Sequence, residues 1–345
     1  MSAVQELRVR GSHFQVGLAI GRRFASEIRD GLKGYPLLKK MLAYHRCPEG
    51  QARTQEFLEL NQARYPGYIA ELEGMAQGAN QPFEDLFLTN LRAEYRGYLP
   101  AAGQGCFDCA VVTEDAALLG HNEDGSPAFR DNLYVIHAQV DDKPAFTALS
   151  YPGFLCGNAF GFNAAGICFS CDSVQPRQTR VGIGRHLLAR SLLESTSLED
   201  AIARVTVPGR ASGFSYSIGS IHEPRIVHVE VAPQTHHVQE VEGYYLHTNH
   251  YRMLDIAQVA GASSRARLER ATQLVQRVPL RDARGVLSLL GDWENEQYPI
   301  YGTATAADKS ATLCTGLFDL DAHHLRIYTS RPGQPAAEFL QFPLP

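Results

Sequence analysis

The sequence has little of what marks a membrane, secreted or nucleic-acid-binding protein. None of its apolar runs reaches the roughly 18 residues that a membrane-spanning helix needs. The start, MSAVQELRVRGSHF, has no apolar segment of the kind found in signal peptides. Lys and Arg form no cluster and the net charge is −5, so we expect neither nucleic acid nor a membrane as a partner. These absences predict a cytoplasmic protein.

The composition is that of an ordinary globular protein. Of the 345 residues, 44% are hydrophobic and 20% are charged, which excludes a disordered chain. A chain of this length buries about 75% of its unfolded surface and needs no disulfide or metal to fold. The seven cysteines, an odd number in an unsecreted chain, are expected to be reduced thiols.

The first hundred residues are predicted to be mostly helical. A short strand at 7–10 is followed by Ser12, a candidate helix N-cap. Four apolar residues then recur at every fourth position, as on one face of a helix: Val16, Ile20, Phe24 and Ile28. Further helices are predicted at about 51–64, 68–77 and 83–95.

From Cys106 onward the pattern changes to blocks of short β-prone runs with helices between the blocks. Strands are predicted at 109–112, 117–120, 133–140, 145–151, 160–163, 166–171, 214–221, 226–231, 244–246, 312–320 and 325–329. Helices are predicted at 183–194, after Ser197 as N-cap, at 264–278 and at 283–290. Strand blocks without intervening helices favour antiparallel sheets, and the helices between them favour layers packed on those sheets. The sequence therefore predicts an α+β fold, a four-layer αββα sandwich.

Two C-x-x-C pairs could supply four thiolates to a zinc ion. They are Cys106 with Cys109 and Cys168 with Cys171. Residues three apart in a strand point to opposite faces, so the second pair is better explained as small buried hydrophobic residues. A non-catalytic zinc-binding protein remains an alternative.

Cys106 follows Gly105 at the boundary between the helical and the strand-rich parts. A nucleophilic cysteine needs a base. If the chain is cut before Cys106, its own α-amine, with an ordinary pKa of about 7.7–8.0, can serve as that base. Glycine on the other side keeps the scissile carbonyl accessible.

Two polar segments supply further candidates. The segment GHNED, which ends at Asp124, could return a carboxylate beside the nucleophile, although such clusters are often plain turns. In the segment HTNH, the amide of Asn249 could donate to an oxyanion. Its histidines, His247 and His250, could instead form a metal pair or supply the base of an unprocessed Cys-His hydrolase.

These segments resemble the acyl-coenzyme A:6-aminopenicillanic acid acyltransferase (isopenicillin N acyltransferase) family of N-terminal-nucleophile hydrolases. Residues 64–78 and 88–95 look like the family's propeptide, and Gly105-Cys106 looks like its self-cleavage site. GHNED looks like its Gly-x-Asn-x-Asp segment. FGFNAAG, LESTS and HTNH follow in the same order, at 160–166, 193–197 and 247–250.

The resemblance implies that the chain cuts itself into a leader, 1–105, and a catalytic chain, 106–345, which remain associated as one domain. Cys106 would attack an amide or thioester carbonyl to form an acyl-cysteine, with Asn249 in the oxyanion hole and Asp124 orienting the α-amine. The implied substrates are small amides or acyl compounds, with coenzyme A thioesters among the donors. Hydrolysis is favoured over transfer, and no cofactor or metal is required.

The chain also departs from the family pattern. Phe107 and Asp108 replace small hydroxyl residues, and Asp108 could either raise the pKa of the thiol or hold the amine. Asp172 stands where Asn is usual. A substrate-binding Arg expected shortly after Pro299 is missing, which removes a carboxylate clamp and speaks against penicillin substrates. Six residues are candidates to bind the substrate or to support the catalytic groups: Asn122, Glu123, Asp108, Asp172, His247 and His250. Candidate replacements for the missing Arg are Arg130, Arg177, Arg180 and Arg185.

Overall fold

The leading part of the chain is one strand followed by six helices. The computed structural model describes residues 4–95, 105–303 and 310–345. The elements of its first range are β1 (Gln5–Gly11), α1 (His13–Arg23), α2 (Ala25–Gly34), α3 (Pro36–His45), α4 (Pro48–Arg64), α5 (Pro66–Ala79) and α6 (Phe83–Asn90).

The remaining described ranges hold thirteen strands and four α-helices. They are β2 (Phe107–Val112), β3 (Ala117–Gly125), β4 (Tyr134–Val140), β5 (Phe146–Ser150), β6 (Phe160–Asn163), β7 (Ile167–Asp172), α7 (Arg185–Leu192), α8 (Leu198–Val205), β8 (Phe214–Ser220), β9 (Arg225–Val231), β10 (His236–Glu240), β11 (Gly243–His247), α9 (Ala262–Val275), α10 (Ala283–Leu290), β12 (Ala311–Asp319), β13 (His324–Tyr328) and β14 (Phe339–Pro343). No helix in the described ranges has the length and apolar character needed to cross a membrane.

The strands form two sheets. One has eight strands in the order β1-β4-β5-β6-β7-β8-β9-β10, and the other has six in the order β11-β2-β3-β12-β13-β14. All neighbouring strands are antiparallel except β1 and β4, which pair in parallel. The leader therefore contributes an edge strand to the eight-stranded sheet.

Three apolar clusters lie between four layers, two of helices and two of strands, which confirms the predicted αββα sandwich. The first joins the leader helices, α7 and α8 to the outer face of the eight-stranded sheet. The second fills the space between the sheets, with Leu119 and Phe318 meeting Phe160 and Ile226. The third packs α9 and α10 on the outer face of the six-stranded sheet.

Several helices begin where the sequence predicted them, although some boundaries differ. Ser12 caps α1 by accepting the Gln15 amide hydrogen at 3.3 Å, and Ser197 caps α8. The four-residue apolar face is fully buried, but the helix is interrupted at Phe24, so it forms α1 and α2. The helix predicted to reach Tyr95 ends at Asn90. α3, β10 and β14 were not predicted.

The two cysteines of each C-x-x-C pair point to opposite sides of a sheet. Cys168 packs between the sheets, whereas Cys171 packs under the leader helices. Cys109 faces α10, whereas the Cys106 thiol contacts a residue between the sheets. In the described parts of the chain, no potential metal-binding group contains two of these cysteines. The zinc hypothesis for the pairs is therefore wrong, because residues three apart in extended backbone point to opposite sides and cannot bind one ion together.

Candidate active site

Cys106 lies one residue before β2, where the chain enters the six-stranded sheet. The residue is 6% exposed, and its thiol donates a 3.3 Å hydrogen bond to Oε2 of Glu123. Burial is the main cause that raises the pKa of this thiol, and the charge of Glu123 raises it further. In the uncut chain Cys106 is therefore a protonated thiol rather than a thiolate.

Glu123 and His121 lie two residues apart on β3 and share one face of it. Nε2 of His121 is 2.9 Å from Oε2 of Glu123, the oxygen that also accepts the Cys106 thiol hydrogen. The hydroxyl of Tyr151 donates to the other oxygen, Oε1. The Glu123 carboxylate is thus held from three sides beside the candidate nucleophile.

Asp108 is the cross-strand neighbour of His121, and its Oδ1 is 2.6 Å from His121 Nδ1. Ser170 and Ser217 of the facing sheet also donate to the Asp108 carboxylate, at 2.9 Å. Burial opposes its charge, but the charge of His121 holds the pKa of Asp108 below its usual range. None of these hydrogen bonds joins Asp108 to the Cys106 thiol, and its predicted effect on the thiol or the amine stays a prediction.

A buried row of polar residues on each sheet explains why these groups meet. His247, Asp108 and His121 are register neighbours on β11, β2 and β3. The facing row on β7, β8 and β9 consists of Ser170, Ser217 and His228. Neighbouring residues on one face of a sheet are in side-chain contact distance, so the strand register assembles both rows.

Asp124 lies near the end of β3 and pairs with Thr312 of β12, next to a bulge that interrupts the pairing of the two strands. Its Oδ1 accepts the Thr312 hydroxyl hydrogen at 2.7 Å, and its Oδ2 is buried without a hydrogen-bond partner among the described residues. Burial raises the pKa of Asp124 to about 7, although the charge of Arg267 opposes the shift. A carboxyl group with this pKa can take up or release a proton near neutral pH.

Asn249 lies two residues after β11, and its amide rests against Gly105. A Cβ built on Gly105 would lie 2.3 Å from Nδ2 and 2.6 Å from Oδ1 of Asn249, so the contact requires glycine. One Nδ2 hydrogen is donated to the carbonyl of Ser173 at 3.0 Å. The amide is therefore fixed in contact with the residue whose carbonyl would be cleaved.

Arg267 is a functional candidate that the sequence reasoning missed. Its Nη1 donates to the Cys106 carbonyl oxygen at 2.9 Å, and its Nη2 donates to Asn249 Oδ1 at 2.7 Å. It is fully buried on the inner face of α9, together with Ser264 and Ala271. The available signal was spacing in the predicted helix. Arg267 comes three residues after Ser264 and four before Ala271, so it shares a helix face with two small residues.

Asn122 faces away from the nucleophile. Its Nδ2 donates to the carbonyls of Leu290 and Ile300, and its Oδ1 accepts the Thr315 hydroxyl hydrogen. These bonds fix the end of α10 and the following loop on the six-stranded sheet, so Asn122 supports the site from behind.

Asp172 and His247 form a second buried pair between the sheets. Nδ1 of His247 is 2.7 Å from Asp172, and its Nε2 is 3.5 Å from Glu230. Burial disfavours the imidazolium, but the two carboxylates raise the pKa of His247 to about 9. Burial and the charge of Asp108 raise the pKa of Asp172 to about 6.

Neither histidine proposed as a Cys-His base is hydrogen-bonded to the thiol. His247 is bonded to Asp172, and Nδ1 of His250 is 2.7 Å from the hydroxyl of Ser264. Burial and the charge of His247 lower the pKa of His250 to about 4. The imidazole that approaches Cys106 belongs to His121.

The arginines considered as replacements for the missing clamp have different surroundings. Arg130 is exposed and donates to the Thr312 carbonyl, beside Asp124. Arg185 is buried and donates to the hydroxyl of Ser173. Arg180 bonds to the carbonyl of Arg210, away from these groups. Residues 101–104, just before Gly105, and residues 304–309, a few positions after Pro299, lie outside the described residues.

Three groups of described residues have the composition of metal sites. Two of them share His121: Cys106, His121 and Glu123, and Asp108, His121 and Asp172. The third is His228, Glu230 and His247. In the third group, Glu230 accepts three backbone amide hydrogens from residues 252–254, and both ring nitrogens of His228 face serine hydroxyls. His250 belongs to none of the three.

The groups around the Gly105–Cys106 peptide are those that acyl transfer needs. A thiol can attack a carbonyl, an oriented amide can stabilise the oxyanion, and carboxylates can move protons. The chain matches the family described as acyl-coenzyme A:6-aminopenicillanic acid acyl-transferase over residues 111–334, and it belongs to that family. The family and its curated members place the chain in the amide hydrolase and acyltransferase class of enzymes.

Two characterised relatives show similarity over different spans. Beta-alanyl-dopamine/carcinine hydrolase of Drosophila melanogaster is 27% identical over 364 aligned residues, which cover 96% of this chain and 94% of the relative. The 40 kDa form of acyl-coenzyme A:6-aminopenicillanic-acid-acyltransferase of Emericella nidulans is 27% identical over 215 residues, which cover 61% of this chain and 60% of the relative.

Two solved structures show a more distant likeness. The Caenorhabditis elegans ortholog of N-acylethanolamine-hydrolyzing acid amidase has a TM-score of 0.44 and 11% identity, covering 70% of this chain and all of that one. Penicillin V acylase from Agrobacterium tumefaciens has a TM-score of 0.40 and 10% identity, covering 69% and 86%. Both likenesses are too distant to bear on the chemistry of this chain.

Proposed function

We propose that this protein is a self-processing cysteine amidohydrolase that acts on small amides. The chain cuts itself between Gly105 and Cys106, and the Cys106 thiol then forms an acyl intermediate that water hydrolyses. One observation carries the proposal: the Asn249 amide packs against Gly105, while Arg267 binds the carbonyl of Cys106. A donor is therefore in contact with the residue to be cleaved, and the adjoining carbonyl is fixed.

After cleavage, the nitrogen of Cys106 becomes an α-amine. Its ordinary pKa of about 7.7–8.0 suits a general base near neutral pH. Oδ2 of Asp124 is buried without a hydrogen-bond partner among the described residues, and we infer that it accepts a hydrogen of this ammonium. Cys106 then provides both the nucleophile and the base, with Asn249 as oxyanion donor and Asp124 as the group that orients the amine.

The leader is expected to stay bound after cleavage. Its first strand pairs with β4 in the eight-stranded sheet. Glu71 of α5 forms a fully buried ion pair with Arg190 of α7, with oxygen and nitrogen 3.0 Å apart. Asn61 of α4 and Asn90 of α6 also bond to the catalytic chain, through Gly184 and Leu155. Separating the chains would expose this core and an unpaired buried charge.

For the substrate, we propose an amide between a small acyl group and an amine, with β-alanyl amides first among the candidates. The relative named for hydrolysis of β-alanyl-dopamine and carcinine aligns over nearly the whole chain, whereas the acyltransferase aligns over 61% of it. Transfer of an acyl group from a coenzyme A thioester to an amine is the second candidate, and it uses the same acyl-cysteine.

Intact-mass measurement tests self-processing. Purified wild-type protein should give fragments 1–105 and 106–345 that elute together in size-exclusion chromatography, whereas Cys106→Ala should remain one chain. Cys109→Ala, which changes a thiol on the opposite face of β2, should be cleaved normally. A wild-type chain that is active while uncut would rule out this mechanism and favour the unprocessed Cys-His alternative.

A substrate panel tests the specificity. β-Alanyl-dopamine, carcinine, acyl-amino acids, lactones and penicillin V should be compared at equal concentrations with cleaved enzyme, first with water and then with an added amine. Turnover of β-alanyl amides to the free amine supports the proposed substrate class. Preferential turnover of penicillin V, or product formation only with a coenzyme A donor, would contradict it.

A further inference from the structure

The cleavage proposed above raises the question of which group takes the proton from Cys106. In the mature enzyme the α-amine can do so. In the uncut chain the same nitrogen belongs to the Gly105–Cys106 peptide, and an amide nitrogen is not a base at neutral pH. The first turnover of the chain therefore needs a proton acceptor that later turnovers do not.

The geometry points to Glu123. Its Oε2 is the atom to which the Cys106 thiol donates, at 3.3 Å. The carboxylate cannot easily turn away, because Tyr151 holds Oε1 and His121 holds Oε2 at 2.9 Å. A base within hydrogen-bond reach of the proton it removes, fixed by further groups, is the arrangement that activates a nucleophile.

The proton positions in this cluster are defined by its hydrogen bonds. His121 lies between two carboxylates, with Nδ1 at Asp108 and Nε2 at Glu123. With both carboxyl groups ionised, each ring nitrogen needs a hydrogen to bond to the carboxylate it faces, which makes His121 an imidazolium. Burial opposes this state, but the charge of Asp108 and hydrogen bonds to Asp108, Cys106 and Glu123 raise the pKa of His121 well above its usual value. His121 is thus a donor, which leaves Glu123 as the acceptor beside the thiol.

The other nearby acids are less suitable. Asp124 bonds to Thr312 and makes no hydrogen bond to the thiol. Asp172 is bonded to His247. Asp108 already accepts hydrogens from two serines and from His121. Of the carboxylates in the described part of the site, Glu123 is the one with a direct bond to Sγ.

We propose that Glu123 is the catalytic base of self-cleavage, and that His121, oriented by Asp108, is a positioning residue for it. The assignment rests on the proposed self-processing and extends it. As Sγ bonds to the carbonyl carbon of Gly105, the thiol proton moves to Oε2 of Glu123. The carbon–nitrogen bond then breaks, and the same proton passes to the leaving nitrogen, which becomes the α-amine. Water hydrolyses the resulting thioester to the Gly105 carboxylate and the free thiol. One water hydrogen goes to the thiol and the other to the α-amine, which becomes an ammonium, so atoms and charge balance.

The test follows cleavage of the full chain over time by intact mass, with Glu123→Gln as the variant. Gln keeps the size of the side chain but removes the base, so the first-order rate should fall by about 10²–10⁴. Glu94→Gln is the control, because Glu94 is also buried and accepts both its bonds, from Arg185 and Ser212, through one oxygen that Gln retains. It should be cleaved at the wild-type rate.

Hydroxylamine distinguishes formation of the thioester from its hydrolysis, because it cleaves thioesters but not amides. If Glu123 serves the thiol attack, Glu123→Gln forms no thioester and hydroxylamine leaves its slow rate unchanged. If hydroxylamine restores cleavage, with a hydroxamate on Gly105, the defect lies in thioester hydrolysis and the assignment is overturned. For the positioning role, His121→Gln should be slower than wild type and equally insensitive to hydroxylamine.

The outcomes distinguish the two proposals. A wild-type chain that never cuts itself overturns self-processing and the role of Glu123 together. If the wild type is cleaved and folded Glu123→Gln is cleaved equally fast, the role of Glu123 alone is overturned. Thermal melting checks the fold. If Glu123→Gln does not fold, Glu123→Asp, which keeps the charge but withdraws it by one methylene, should be cleaved slowly, and wild-type cleavage of that variant counts against the assignment.

Discussion

The guanidinium of Arg267 donates a 2.7 Å hydrogen bond to Oδ1 of Asn249. An amide whose oxygen is held in this way must direct its Nδ2 hydrogens elsewhere, towards Ser173 and Gly105. The same guanidinium binds the carbonyl of Cys106. Arg267 therefore fixes the amide assignment of Asn249, on which its proposed role as oxyanion donor depends.

Replacing Arg267 should lower kcat more than it raises KM. Arg267→Met removes both hydrogen bonds, and we expect a loss of about 1–3 kcal/mol of transition-state stabilisation. Asn249→Ala should cost more, about 2.7–4 kcal/mol, if it removes the oxyanion donor itself. The exposed Arg265 on the same helix gives the control Arg265→Met, which should leave kcat unchanged. Equal rates for all variants would remove both residues from the site.

Gly105→Ala should block self-cleavage. The added methyl group would lie within 2.3–2.6 Å of the Asn249 amide atoms, so the peptide or the amide must move. Intact mass should show one chain, while Gly34→Ala, where a Cβ has open space, should be cut normally. Full cleavage of Gly105→Ala would show that the peptide is cut in a different arrangement.

Asp124 should make folding less favourable as the pH rises. Its pKa is about 7 in the folded chain, above the ordinary 3.8, so the folded state holds the proton more tightly than the unfolded state. Stability is therefore lost as the pH rises from about 4 to about 7, by at most about 4 kcal/mol. Asp124→Asn cannot ionise and its Oδ1 can still accept from Thr312.

The comparison is made in the Cys106→Ala background, so that both chains stay uncut. The free energy of unfolding should be measured by urea titration at pH 4 and pH 8. Between pH 4 and pH 8, the free energy of unfolding of Asp124→Asn should rise relative to that of its parent. A difference that stays constant, or that reverses, would contradict the buried raised pKa.

Thiol alkylation should distinguish the uncut from the cut chain. Of the seven cysteines, Cys47 alone is not buried. Burial raises the pKa of Cys106, which disfavours the reactive thiolate. Iodoacetamide at pH 7.5 should therefore modify Cys47 in uncut Gly105→Ala, and both Cys47 and Cys106 in cleaved wild type. Rapid modification of Cys106 in the uncut chain would contradict its protonated state.

Local patterns in the sequence were sufficient to predict the layers. Apolar periodicity placed most strands and helices, since burial of one face fixes the element type. The interruption at Phe24 and the edge strand β14 have no comparable local signal, because packing against other elements decides them. The parallel pairing of β1 with β4 joins residues more than a hundred positions apart, which no short pattern encodes.

Some residues of the candidate site were likewise found from the sequence, and others were not. The thiol, the Asp124 carboxylate and the Asn249 amide were found from segment patterns, and their roles remain predictions. His121 lay within the GHNED segment without a role, and Arg267 was overlooked. The polar residues at alternate positions of β8 and β9, at 215, 217, 228 and 230, were a signal for a polar space between the sheets.

By itself, the sequence determined the residue types that carry the chemistry and the periodicity that builds two sheets covered by helices. Tertiary structure alone decided which of those residues meet. Strand register sets Asp108 opposite His121, and sheet packing sets both against serines of the other sheet. The helix α9 brings Arg267 to Asn249 across 18 positions. Proton positions depend on such contacts, because a group's charge in a buried site is set by its neighbours rather than by its own chemistry.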